Sequence, residues 1–178
     1  MNATLEKPLR VLMITDVYFP RINGVSTSIK TFKQELTNLG HQITLVAPAY
    51  DNDDDGQDWI HRVPSSYLPV DPEDRIMNRK AIRSLYDREL KHQEFDLLHI
   101  QTPFIAYYAG MDLAKKLNLP VVITAHTHFE EYLYHYLPWF PKSSMRYAAR
   151  WFSRRQCNEV DGVIVPSKPM HSVMQDYG

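Results

Sequence analysis

Five short apolar runs, separated by longer segments with helical periodicity, constrain the fold of this chain more than any other feature. Each run is continuous rather than alternating, which is typical of a strand buried on both faces. Strands that alternate with helices form parallel crossover units, and such connections are right-handed. The sequence therefore predicts a three-layer α/β/α sandwich around a mainly parallel sheet. The runs are RVLMIT (10–15), QITLVAP (42–48), FDLLHIQ (95–101), LPVVITAH (119–126) and GVIVPS (162–167).

The segments between these runs carry the periodicity of amphipathic helices. The pattern predicts helices over 25–39, 73–92, 105–118 and 142–158, with Gly40 ending the first and Ser167 capping a short last helix. In 73–92 the expected inner face consists of Ile76, Ile82, Leu85 and Leu90. A further short strand is expected over 59–64.

Composition limits the class of protein. The chain has 178 residues, 44% of them apolar, and a formal net charge of −1, which indicates one globular domain and gives no reason to expect nucleic acid as a partner. No apolar window is long enough to span a membrane, and no secretory signal is expected at the start. The single cysteine, Cys157, excludes an internal disulfide and fits a reducing compartment. We therefore expect a cytoplasmic protein.

Ligands of parallel sheets bind where strands end, so the segments that follow the strands are the candidate site. After the first strand, Asn23-Gly24-Val25 leads into a helix whose free N–H groups favour an anion such as a phosphate. The same residues also fit a simple turn with a helix cap. Neither a dinucleotide fingerprint nor a P-loop is present in the sequence.

Residues 126–140 follow another buried strand and are rich in histidine and aromatic side chains. Such rings suit stacking on a sugar or contact with a membrane interface, and they also suit a packed lid. His126 and His128 have the spacing of metal ligands, so a metal-dependent hydrolase is an alternative function. Its further ligands would come from His99, Asp16, Glu130 or Glu131.

Residues 142–155 carry cations and no acidic residue. Helical spacing places Lys142, Arg146, Arg150 and Arg154 on one face, with Trp151 beside it. This face suits an anionic membrane surface. It also suits a solvated helix, or a non-catalytic module that docks on a membrane or a protein partner.

Several motifs occur in a family's order along nearly the whole chain. RVLMITDVYFPRINGVSTSI is followed by an LxxxGH helix end at 36–41, then by FDLLHIQTP, VITAHT and DGVIVPS. Together they resemble the N-terminal domain of a GT-B glycosyltransferase of family 4 (group 1). The segment TAHTHFEEYLYHYLP is similar to membrane-associated members that glycosylate diacylglycerol or phosphatidylinositol.

This resemblance implies a Rossmann-like, acceptor-side domain over 1–178. A C-terminal nucleotide-sugar-binding domain with an E-x7-E motif would face it across a cleft and is absent from this chain. Family members retain anomeric configuration, use a nucleotide sugar such as UDP- or GDP-hexose, and need no tightly bound cofactor or metal. The resemblance thus implies an enzyme that transfers a hexose to a lipid or sugar acceptor, with this part alone inactive.

The resemblance also assigns roles to individual residues. It places the donor phosphate at Asn23, Gly24 and Val25, although many relatives carry two glycines in this loop and this chain has one. It identifies His126 as the catalytic residue beside the transferred sugar. The remaining expected roles are an acceptor site formed by Glu130, Glu131, Tyr132, Tyr136 and Trp139, and a membrane surface formed by Lys142, Arg146, Arg150, Trp151 and Arg154. This surface implies a peripheral position on the inner face of the membrane.

Overall fold

The computed structural model describes residues 7–51, 56–68, 71–126, 139 and 141–177. Its strands are β1 (Arg10–Ile14), β2 (Gln42–Pro48), β3 (Ile60–Val63), β4 (Ser65–Leu68), β5 (Asp71–Met77), β6 (Leu97–Ile100), β7 (Val121–Thr124) and β8 (Gly162–Ile164). Its helices are α1 (Gly24–Asn38), α2 (Arg79–Leu85), α3 (Ile105–Leu117), α4 (Lys142–Asn158) and α5 (Lys168–Tyr177). A π-helical turn, Tyr86–Leu90, continues α2.

Six strands form one parallel sheet in the order β3-β2-β1-β6-β7-β8. The chain first moves outwards from β1 to β2 and β3, and then crosses to β6 and moves outwards on the other side. The strand order therefore reverses between β1 and β6, which is the position where ligands bind in sheets of this kind.

Helices cover both faces of the sheet. Val11 and Met13 of β1 pack with Ile29 of α1 on one face, while Leu12 and Ile14 pack with α2 and α3 on the other. Burying each such side chain contributes roughly 1.5–3 kcal/mol, so a run that is apolar on both sides holds two helical layers. The predicted three-layer α/β/α sandwich with a parallel sheet is confirmed.

Helix α3 lies unusually close to the sheet at Gly110. A Cβ atom at Gly110 would lie 3.0 Å from Ile100 Cγ1 and 3.2 Å from Ile14 Cγ2, closer than ordinary packing allows. Glycine at this point lets the helix backbone approach the central strands. The start of α3 is thereby held next to the ends of β1 and β6.

The predicted helix over 73–92 is wrong in its first part. Asp71–Met77 is a strand that pairs with β4, and the helix begins only at Arg79. Met77 is 2% exposed whereas Ile76 is 42% exposed, an alternation that belongs to a strand. Asn78 then caps α2 through its side chain, which accepts from Lys80 N and Ala81 N.

The other predicted elements are confirmed, with strand ends trimmed by one or a few residues. Gly40 follows α1 with a positive φ of 89°, as expected for a helix stop. Ser167 Oγ accepts a hydrogen bond from Met170 N at 3.3 Å, which confirms the predicted cap of α5. Ile82, Leu85 and Leu90 are buried as predicted.

Candidate active site

The ends of β1 and β6 meet at the reversal of strand order, and polar residues follow both strands. Thr15, Asp16, Gln101 and Thr102 are all buried there. Buried polar side chains need hydrogen-bond partners, so their contacts define what this edge can do.

Asp16 ties the end of β1 to the start of α3. Thr102 Oγ1 donates to Asp16 Oδ2 at 2.7 Å, and Ala106 N donates to the two carboxylate oxygens at 3.1 and 3.2 Å. Burial raises the pKa of Asp16 to about 6, while these hydrogen bonds oppose that rise. A carboxylate at a helix N-terminus satisfies free N–H groups and suits the helix dipole. Both carboxylate oxygens of Asp16 accept such hydrogen bonds, so Asp16 stabilises the packing of the α3 N-terminus against the end of β1.

His126 lies beyond the end of β7 and is half-buried. Its Nε2 lies 2.8 Å from Gln101 Oε1. Burial lowers the pKa of His126 to about 4, so the imidazole is neutral at neutral pH. A neutral imidazole offers one N–H donor and one lone pair. His126 is therefore a weak base that is suited to hydrogen bonding with a ligand.

A second histidine is buried behind His126. His99 Nε2 lies 2.7 Å from Thr124 Oγ1, and the His99 ring packs edge-on against Phe32 of α1. Burial and the neighbouring His126 lower the pKa of His99 to about 4. This neutral, enclosed side chain supports the floor of the site.

The loop before α1 caps the helix. Asn23 Oδ1 accepts a hydrogen bond from Ser26 N at 2.9 Å, and Thr27 N donates to Asn23 O at 3.1 Å. The turn-and-cap interpretation is thus confirmed. The N–H groups of Gly24 and Val25 precede the first intrahelical bonds and face no partner within the described part of the chain. A Cβ built on Gly24 meets nothing within 4 Å, so the space over this backbone is open.

Most of the predicted acceptor residues lie outside the described residues. These are Glu130, Glu131, Tyr132 and Tyr136, together with His128. Trp139 is described, and 76% of its surface is exposed.

The predicted membrane surface lies on one exposed helix. Lys142, Arg146, Arg150, Trp151 and Arg154 all belong to α4 and are exposed, while Met145, Ala149 and Gln156 form its buried side. Tyr147 is 72% exposed and Trp151 is 54% exposed, four residues apart. Arg150 also stacks on the Tyr177 ring of α5 at 5.5 Å.

Of the residues proposed for a metal centre, the structure describes Asp16, His99 and His126, whereas His128, Glu130 and Glu131 lie outside the described residues. No three histidine, cysteine, aspartate or glutamate side chains in the described part of the chain lie close enough to hold an ion. Asp16 binds α3, and His99 contacts Thr124.

Sequence reasoning missed Gln101 and Thr102 as site residues. The only signal for them was their position directly after FDLLHI, next to the expected reversal of strand order. Glutamine and threonine fit many surface loops, so residue type alone did not mark them. Their importance depends on contacts with residues 25 and 86 positions away in the chain.

Relatives share this domain and extend beyond it. The family model for Glycosyltransferase Family 4 matches residues 22–178. The alpha-monoglucosyldiacylglycerol synthase of Streptococcus pneumoniae is 33% identical over 95% of this chain, which covers 38% of that protein. The synthase of the same name from Acholeplasma laidlawii is 26% identical over 93% of the chain and 42% of its own length.

A GDP-mannose-dependent alpha-mannosyltransferase of Mycobacterium tuberculosis is 27% identical over 67% of the chain, which spans 32% of that enzyme. The chain thus spans less than half the length of the curated relatives that it matches. No helix within the described ranges is both long and apolar enough to cross a bilayer. The parallel sheet and its reversal of strand order fit the N-terminal domain of a GT-B enzyme, and the family match extends over most of the sequence. The chain belongs to glycosyltransferase family 4.

Proposed function

We propose that this chain is the acceptor-side half of a retaining glycosyltransferase that transfers a hexose from UDP- or GDP-hexose to a membrane glycerolipid. The names of the relatives support this substrate class, since they include synthases of a glucosyl diacylglycerol and a GDP-mannose-dependent enzyme. One observation carries the proposal. The N-terminus of α1 and the neutral His126 both follow strands that end at the same edge of one parallel sheet.

The N-terminus of α1 is the proposed contact for the donor phosphates. Its first N–H groups and the helix dipole favour negative charge. Charge builds on the leaving phosphate as the bond to the sugar breaks, so donors fixed at this position stabilise the transition state more than the ground state. The open space over Gly24 lets a phosphate approach the backbone.

His126 is the proposed contact for the transferred sugar. Its imidazole is neutral and half-buried, and one ring nitrogen already contacts Gln101. A pKa of about 4 makes it a poor general base at neutral pH. The proposed role is therefore to hydrogen-bond a sugar hydroxyl and to orient the sugar.

The acceptor is proposed to lie over the segment that follows His126. Glu130 or Glu131 would meet an acceptor hydroxyl, and Tyr132, Tyr136 and Trp139 would line an apolar channel. The exposed indole of Trp139 is consistent with this role, because amphipathic rings favour membrane interfaces.

The exposed side of α4 is proposed to contact the membrane that supplies the lipid. Its cations attract anionic headgroups, and Tyr147 and Trp151 add rings that partition into the interface. The protein would then lie peripherally on the inner face of the membrane.

The test measures sugar transfer by this chain together with the nucleotide-sugar-binding domain that we propose to follow it. UDP-glucose, UDP-galactose and GDP-mannose are offered with diacylglycerol in vesicles. We expect one donor to give a glycolipid that keeps the anomeric configuration of the donor, as read by NMR of the product. Hydrolysis without lipid product, or a product of inverted configuration, would refute the proposal.

A further inference from the structure

Gln101 directly follows β6 and links the central strands β1 and β6 to His126. Its backbone N–H donates to Ile14 O at 2.9 Å, which fixes the residue at the junction of β1 and β6. The whole residue is 0% exposed. Its side chain places Oε1 2.8 Å from Nε2 of His126, the residue that follows β7 by two positions.

The chemistry of this pair determines where the imidazole proton lies. An amide oxygen accepts hydrogen bonds and cannot donate one, so the nitrogen that faces it must carry a proton. A neutral imidazole has only one such proton, and His126 is neutral because burial lowers its pKa to about 4. Nδ1 is then left with a lone pair, and it has no hydrogen-bond partner within the described ranges.

We infer that Gln101 is a positioning residue that holds His126 in the tautomer protonated at Nε2, so that Nδ1 accepts a hydrogen bond from a hydroxyl of the transferred sugar. This role rests on the proposed function for its ligand, whereas the tautomer itself does not. Without a fixed acceptor at Nε2, the ring can present either a donor or an acceptor to the sugar. With Gln101 in place the ring presents an acceptor only, so the sugar hydroxyl that meets Nδ1 must be the donor.

The cost of burying Gln101 supports a functional reason for it. Its Nε2 is buried and has no hydrogen-bond partner among the described residues. A buried donor left unsatisfied costs roughly 1–3 kcal/mol, which an apolar side chain of similar size avoids. The contact with His126 gives this position a reason to hold an amide.

Gln156 provides a matched comparison. It is also a buried glutamine, and it lines with Gln101 and His126 a cavity of about 40 Å³. Its Nε2 donates to Pro103 O at 2.8 Å, so its amide hydrogen-bonds the backbone and not the imidazole of His126. Replacing Gln156 therefore disturbs the same cavity without removing the partner of His126.

The test is ¹⁵N NMR of the 178-residue chain with labelled histidine at neutral pH. The His126 signals are assigned by their loss in His126→Phe. We expect the proton on Nε2, with an N–H signal that exchanges slowly with water because Gln101 covers it. A proton on Nδ1 in the unaltered chain would overturn the inference at once.

Three variants then test the cause. Gln101→Met should lose the slow Nε2–H signal, while Gln101→Glu, which keeps an acceptor oxygen, should retain it. Gln156→Met should also retain it. Survival of the signal in Gln101→Met, in a chain whose other amide signals show it to be folded, would contradict the role of Gln101.

Activity gives the second readout, in the protein joined to its donor domain. Gln101→Met should lower kcat/KM for transfer by up to about tenfold, the effect of one misplaced hydrogen bond. An unchanged kcat/KM in Gln101→Met would overturn the proposal that Gln101 positions His126 for the sugar. An Nε2–H tautomer in a protein that transfers no sugar would refute the proposed function and leave the tautomer assignment standing.

Discussion

The hydrogen-bond partners of Asn23 could be predicted from the sequence, whereas the partner of His126 could not. The Asn23 cap needs only residues up to four positions away, so the local pattern predicted it. The position of His126 at a strand end was also predictable, because it follows a buried apolar run. Its partner Gln101 was not, since that contact depends on how β6 and β7 pair in the sheet. The phosphate role of Gly24 stays a prediction.

Gly24→Ala separates a binding role from a folding role at this position. The added methyl group meets nothing within 4 Å and the backbone is not in the left-handed region, so the fold should accept it. We expect the free energy of unfolding in urea to stay the same or to rise by about 0.4–1 kcal/mol. Transfer by the joined protein should fall by roughly tenfold to a hundredfold, because the methyl group keeps the donor phosphate from the helix amides.

Gly162→Ala is the control for this substitution. Gly162 starts β8, at the end of the strand opposite the site, and its added Cβ would make only an ordinary contact with Val122 at 3.5 Å. Its transfer rate should match that of the unaltered protein. Wild-type kinetics in Gly24→Ala would remove the phosphate contact from the proposal.

Helices and strands with one clear hydrophobic periodicity were predictable from the sequence. Segments whose pattern fits both a helix and a strand were not. Helix α4 was predicted with its observed bounds, because its apolar and cationic positions follow a helical repeat over many turns. Strand β5 was taken for helix, because its charged residues and the true helix behind it form one continuous polar segment. Only pairing with β4 and burial of Met77 make it a strand, and both are tertiary effects.

Charge reversal on α4 tests whether its exposed face binds membranes. Each cation close to an anionic surface contributes about 1 kcal/mol, so losing two should weaken partitioning by roughly 30-fold, and reversing them should weaken it further. We expect Arg146→Glu with Arg150→Glu to lose flotation with vesicles that contain anionic phospholipid. Flotation with purely zwitterionic vesicles should be weak for both forms.

The matched control reverses two exposed cations on other helices, Lys115 of α3 and Lys168 of α5. Lys115→Glu with Lys168→Glu changes the net charge by the same amount. Flotation should then persist at nearly the original level. Equal loss in both double variants would mean that net charge alone governs binding, and α4 would be a solvated helix.

The architecture of the whole molecule followed from the sequence more securely than its chemistry did. Continuous apolar runs require two covered faces, and right-handed crossovers then leave few arrangements of helices around the sheet. Those rules also identify the edge where ligands bind in sheets of this kind. They do not specify the donor, because the second wall of the proposed cleft is itself proposed to come from another domain.

The open edge leads to a prediction for the chain by itself. The proposed site offers a donor one helix N-terminus and one imidazole, while the remaining contacts are proposed to come from the C-terminal domain. Electrostatic stabilisation of a leaving phosphate depends on excluding water, and an edge with open space above Gly24 does not exclude it. We therefore expect the 178 residues to fold cooperatively, to show weak or no heat of binding with UDP- or GDP-hexose, and to transfer no measurable sugar.

Adding the C-terminal domain as a separate polypeptide distinguishes an incomplete site from a damaged one. If the chain is folded and merely lacks its partner, mixing the two should restore transfer in proportion to the complex formed. Robust transfer by the chain alone would show instead that this edge holds the donor unaided. In that case the proposed second domain would not be needed for the chemistry at this edge.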